Sequence, residues 1–156
     1  MKKLKIIGIG SPFGDDQLGW HVIEKLKQRS FFINNQALIS LENYDRPGTH
    51  LINLLQNTDF AILVDAVKSN KAPGTIYHFV NEEIGSYSNL FSSHAMGVAE
   101  TIRLASALGE LPDHIVLYGI EIDSVEMQNH LSQPVQDAVV KLVEIIERRI
   151  MQQIAN

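Results

Sequence analysis

Apolar residues in this chain fall into two patterns: short unbroken runs, and longer stretches where they recur every three or four positions. Leu4 to Gly10, Phe60 to Asp65 and Ile115 to Ile120 are unbroken, as in strands covered on both faces of a parallel sheet. Ala37 to Leu41 reads as another strand, and so does Thr75 to Val80, with its β-branched and aromatic residues. Leu18, Val22, Ile23 and Leu26 share one helical face, as do Val98, Ile102 and Ala105. The same holds for Val135, Val139, Leu142, Ile146 and Ile150. The implied helices run from Asp15 to about Arg29, Thr49 to Gln56, about Ala95 to Leu108, and Gln133 to Met151. Gly109 and Pro112 stop the third of these.

Strand, helix, strand, helix, strand in the first half predicts parallel pairing through right-handed crossovers. The expected fold is α/β: a three-layer sandwich with a mostly parallel, five-stranded twisted sheet and helices on both faces. No repeat, low-complexity tract or linker interrupts it, so residues 1–156 read as one domain. Two connections stay irregular, 81–96 and 121–132, and both are expected to form specificity surfaces around a site.

Composition narrows the function. A net charge of −5 without a Lys/Arg cluster argues against a nucleic-acid partner, whose affinity would come from neutralised phosphates. With no cysteine, disulfides, thiolate ligands and a cysteine nucleophile are excluded. Apolar runs are too short for a signal-peptide core or a membrane span, so a soluble, cytoplasmic protein is expected.

Candidate chemistry gathers where strands end. Asp15 and Asp16 follow the glycine-rich turn Gly8-Ile9-Gly10-Ser11-Pro12-Phe13-Gly14, Asp65 ends an apolar strand, and His94 precedes a helix. In open α/β sheets such positions converge outside the carboxyl ends of the strands. Each has an ordinary explanation as well. Asp caps helices, an Asp after a strand bonds the following turn, and a His before a helix is often a surface residue. Asp65 is the most telling, because a carboxylate after Ala-Ile-Leu-Val must find donors or a cation if buried. Two carboxylates and an imidazole suit nickel, zinc, manganese or cadmium better than copper(I). His50 lies in the second strand-to-helix crevice, beside Gly48 and Thr49.

A dinucleotide site is the rival reading, with Gly8-Ile9-Gly10 after a strand and Glu42 ending the second strand as the ribose acid. The glycine spacing is irregular and Pro12 removes a donor. Asp15 and Asp16 also set negative charge where a pyrophosphate would bind, so electrostatics disfavours this reading.

The same residues resemble the hydrogenase maturation proteases, endopeptidases that trim the C-terminal extension from the large subunit of nickel–iron hydrogenases. The resembling pieces are Gly8-Ile9-Gly10-Ser11 with Asp15-Asp16-Gln17-Leu18-Gly19, then Ile62-Leu63-Val64-Asp65-Ala66-Val67, then Ser93-His94-Ala95-Met96-Gly97. Val116-Leu117-Tyr118-Gly119-Ile120 and Pro134 fit too, so the likeness spans nearly the whole chain. It implies that Asp16, Asp65 and His94 are the metal-binding and catalytic set, with Asp16 preferred over Asp15 because Gly19 keeps the family spacing. It further implies a hydrogenase large-subunit precursor as partner and a substrate loop around Pro47-Gly48-Thr49. No stored cofactor is implied; nickel arrives with the precursor, and zinc or cadmium are possible in vitro. The family often has Asn where Ser11 stands. A non-cleaving chaperone for the same precursor is the alternative.

Overall fold

The computed structural model describes residues 3–86, 97–123 and 129–155. Its five strands are β1 Leu4–Gly10, β2 Ile39–Asp45, β3 Phe60–Val67, β4 Ile76–Val80 and β5 His114–Glu121. They form one sheet in the order β2-β1-β3-β5-β4, parallel except for β4, which pairs antiparallel with β5 at an edge. A 3-10 turn, Gly14–Gln17, leads into helix α1, Leu18–Lys27. The other helices are α2 Ser30–Ile33, α3 His50–Leu54, α4 Glu83–Ser86, α5 Val98–Ala107 and α6 Gln133–Ala155.

Strand alternation sorts the core into two layers. Ile6, Ile62, Val64 and Val116 pack with Leu18, Val22 and Val139, which sets α1 and α6 on one face. Ile7, Leu63 and Leu117 pack with Leu51, Ile84 and Ile102, which sets α3, α4 and α5 on the other. All eight residues of β3 are buried, as its unbroken apolar run requires. The three-layer expectation therefore holds.

Differences from the expected elements have local causes. β2 begins later and runs further than Ala37 to Leu41, because its backbone pairs with β1 as far as Gly10↔Asp45 although its residues are polar. Glu42 therefore sits in the middle of β2 rather than at its end. The expected helix from Asp15 starts instead as the 3-10 turn, and neither that turn nor α1 has a side-chain cap. α2 was not expected; it buries Phe32, whose ring meets Phe31 edge-on at 5.2 Å between centroids.

Chain order and strand order part company between β1 and β3. From β1 the chain crosses by α1 to β2 on one side, then returns by α3 to β3 on the other side of β1. The two crossovers leave on opposite faces and open a crevice at the carboxyl ends of β1 and β3.

Backbone contact tightens that crevice. A Cβ on Gly19 would lie 2.6 Å from the Ile9 carbonyl oxygen and 2.7 Å from that of Val64, and one on Gly8 would lie 2.5 Å from the Gly19 oxygen. Helix α1 thus rests on the strands without an intervening side chain. Gly19→Ala must push the helix off both strands and is expected to destabilise by about 1–3 kcal/mol, the range for overpacking. Urea denaturation measures this, and a midpoint equal to the wild type contradicts the close-contact account.

Candidate functional site

The turn after β1 places the first carboxylate. Gly14 has φ +50, and backbone bonds from Asp16 N to Phe13 O (3.0 Å) and from Ser11 N to Asp16 O (3.3 Å) close the loop. This turn packs against the ends of β1 and β3. Asp16 is 2% exposed, and the Ser11 hydroxyl donates to its Oδ2. Asp65, 1% exposed near the end of β3, accepts the Ala66 N–H at 2.8 Å through Oδ1. Alternation along β3 puts the Asp65 side chain on the α3/α5 face with Leu63 and Val67.

Both carboxylate-bearing elements therefore meet at the switch between β1 and β3. The Ser11 hydroxyl and the Ala66 amide orient one oxygen of each group, as supporting hydrogen bonds orient metal ligands. His94, the third expected ligand, lies outside the described residues. Among the described residues, no group of three or more His, Asp and Glu side chains is arranged to hold a metal. Helix α5, which follows His94 in sequence, starts at the same carboxyl edge. The residues just past its far end, Gly109 and Glu110, line a cleft with Lys3 and Asp59 at the opposite edge. The Glu100 carboxylate accepts the Gly97 N–H at 3.0 Å and anchors the helix start.

Asp15 has a different job from its neighbour. Its Oδ1 accepts the Ser132 N–H at 2.6 Å and its Oδ2 the Ser132 hydroxyl at 2.7 Å. Ser132 O in turn accepts the Gln136 N–H at 2.9 Å, in the first turn of α6. Asp15 therefore ties the opening turn to the positive end of a 23-residue helix. It caps no part of its own helix, and a partner 117 residues away left no local signal in the sequence.

Glu42, the acid of the rival nucleotide reading, is committed elsewhere. It accepts hydrogen bonds from the Ser40 hydroxyl at 2.5 Å and from the Tyr44 hydroxyl, and pairs with Lys5 Nζ at 3.4 Å. Burial alone would raise its pKa, but Ser40, Tyr44 and Lys5 together outweigh burial and hold it below the usual carboxylate range. The hydrogen bond to Glu42, followed by burial, pushes the Tyr44 phenol up to about 12.

Three further features at this edge escaped the sequence reading. Trp20, the single tryptophan, donates from Nε1 to Tyr44 O at 3.0 Å; a Cβ on Gly10 would lie 3.3 Å from that nitrogen. Glu121 is fully buried and accepts the Ser69 N–H (2.8 Å), the Ser69 hydroxyl (2.5 Å) and the Tyr77 hydroxyl (2.8 Å). It clamps the β3–β4 connection, and its register partner is Val67, two residues past Asp65. Arg46 follows β2, and its N–H donates to Gly10 O at 3.0 Å. His50 is the first residue of α3, with its Nδ1 3.5 Å from Asn53 Nδ2.

Known proteins share this fold and much of this sequence. Residues 20–149 match the family model described as hydrogenase maturation protease, a span that includes Asp65 and His94 and begins after Asp16. The hydrogenase 2 maturation protease of Escherichia coli is 26% identical over 145 residues, covering 91% of this chain and 87% of the relative. The hydrogenase expression/formation protein HupD of Bradyrhizobium diazoefficiens is 25% identical over 147 residues, covering 92% and 75%. Among solved structures, the hydrogenase maturating endopeptidase HybD from E. coli superposes with a TM-score of 0.81 at 22% identity, over 97% of this chain and 93% of that one. HybD from Thermococcus kodakarensis gives 0.68 at 24% identity, over 94% and 97%.

Two substitutions test the division of labour. Asp15→Ala leaves the Ser132 donors without their acceptor and is expected to cost about 1–3 kcal/mol in urea unfolding; an unchanged midpoint would remove its anchoring role. Glu42→Gln is expected to cost about 1 kcal/mol or less at pH 7. Because the folded pKa of Glu42 is depressed, its stabilisation is present above about pH 4.5 and is lost as pH falls through the folded value. The gap between wild type and Glu42→Gln should therefore close in acid. A constant gap from pH 7 down to pH 3 would contradict the assignment.

Proposed function

The chain belongs to the hydrogenase maturation protease family, and from that premise we propose that it removes the C-terminal extension of a nickel–iron hydrogenase large-subunit precursor after nickel insertion. The observation that carries the reading is the burial of two aspartates, Asp16 and Asp65, at one strand-order switch. In this reading Asp16, Asp65 and His94 together receive the nickel that the precursor brings, and so dock its tail for a single cut. Nickel is part of the substrate and not a resident cofactor; zinc or cadmium would fit the same oxygen and nitrogen donors in vitro. The carboxylates fit a hard or borderline divalent cation, and Ser11 and the Ala66 amide hold them in place before it arrives.

The chemistry follows from these groups. A water attacks the scissile carbonyl, one of the two aspartates takes its proton, and the same acid returns a proton to the leaving amine. Described helices include none long and apolar enough to cross a membrane, and we place the reaction in the cytoplasm, in keeping with the absence of cysteine.

Nickel-loaded precursor mixed with the pure protein should lose its extension, read as a mass decrease. Asp16→Asn, Asp65→Asn and His94→Ala should each lower the processing rate by at least about a hundredfold while keeping the free energy of urea unfolding within about 1 kcal/mol of the wild type. Normal trimming by the His94 variant, or equal trimming of nickel-free precursor, would overturn the proposal.

A further inference from the structure

Backbone conformation singles out one residue at the carboxyl edge. Among the described residues, four that are not glycine have φ in the left-handed region: Arg46 (+44), Asn57 (+57), Asn70 (+65) and Asn81 (+52). Asparagine tolerates that region through local hydrogen bonding of its short side chain; arginine has no such compensation. The same loop turns again at Gly48, with φ +56. Arg46 is held there by its N–H bond to Gly10 O, the last residue of β1, directly before the turn that carries Asp16.

Its side chain is turned outward at this edge. The side chain is 52% exposed, and Nε donates to Asp45 Oδ1 at 2.7 Å. Among the described residues the two terminal nitrogens have no hydrogen-bond partner. The Asp45 hydrogen bond and charge, and last the charge of Asp16, favour the guanidinium cation and together outweigh burial. Four N–H groups in a rigid fork are matched by a carboxylate, which they bind in bidentate fashion. An acidic protein with Asp15, Asp16 and Asp65 at this edge repels an anionic tail, unless a cation at the rim receives it.

We propose that Arg46 is a specificity residue that binds a carboxylate of the precursor's C-terminal extension and so orients the tail across the site. The inference rests on the endopeptidase reading above and deepens it. Two groups offer the same chemistry, an acidic side chain within the extension and the chain's terminal carboxylate. Backbone strain accepted at an exposed position is consistent with a role in recognition rather than in folding.

The test uses the full-length protein and nickel-loaded precursor. Arg46→Gly and Arg46→Asn both suit the left-handed backbone, so their thermal midpoints should equal or exceed that of the wild type. KM should nonetheless rise roughly tenfold, with kcat within about twofold, and Arg46→Lys should recover part of the loss. Precursors with the acidic residues of the extension changed to amides, and precursors lengthened by a Gly-Ser tail, identify the source. The first raise KM if a side chain is bound, the second if the terminus is. Whichever precursor is affected should lose its difference between wild type and Arg46→Gly. Unchanged KM in Arg46→Gly and Arg46→Asn, or wild-type KM with both altered precursors, overturns the inference and leaves the protease reading standing. Failure of the wild type to shorten any nickel-loaded precursor overturns both.

Discussion

Contact between main chains, at Gly8 and Gly19, fixes the geometry on which the site depends. Helix α1 lies on β1 and β3 so closely that a single methyl group at Gly19 would fall inside two carbonyl oxygens. Such contact leaves the chain only the short loop 11–13 and one 3-10 turn in which to leave β1 and reverse direction. Asp16 is consequently held at the strand end by backbone geometry. A side-chain spacer between helix and sheet would lift the whole opening turn away from β3. The position of a buried carboxylate thus follows from glycines that bear no chemistry themselves.

Two adjacent aspartates then divide the work. Asp15 faces Ser132 and spends both oxygens on the entry to α6, while Asp16 accepts the Ser11 hydroxyl and belongs to the crevice. Burying two neighbouring carboxylates is unfavourable unless each has specific donors. For Asp15 those donors are a backbone amide, a hydroxyl and the positive end of a long helix. The arrangement also couples the last helix to the site, since α6 reaches the opening turn through one residue.

How much of this was legible depends on whether the signal was local. β1 and the core of β3 were readable because both faces are buried and the apolar run is broken only by Lys5. The continuation of β3 through Ala66 and Val67 was not, since it arises from pairing with Ile120 and Glu121 on β5. β2 was misplaced because its second half, Glu42-Asn43-Tyr44-Asp45, is polar and is held by hydrogen bonds from β1 on one side only. Asp65 was expected to be buried and in need of donors, and its burial and the Ala66 amide answer that. Neither Glu121, taken as the start of a loop, nor Asp15's attachment to Ser132 could be inferred from neighbours in sequence, because both depend on residues more than forty positions away.

A protease that makes a single cut, as proposed here, faces a selectivity problem that its buried aspartates would not solve. In that reading the aspartates receive a cation, and a cation alone does not distinguish one protein tail from another. Discrimination has to come from groups at the rim that are rigid enough to lose little entropy on binding. The loop from Arg46 to His50 has this character: it is anchored at one end to Gly10 and continued at the other into α3, with two left-handed residues fixing its path. Scaffold and rim therefore follow opposite rules. Inside, glycine lets main chains touch; outside, arginine occupies a conformation that glycine would adopt at less cost, and that difference marks where recognition takes precedence over stability.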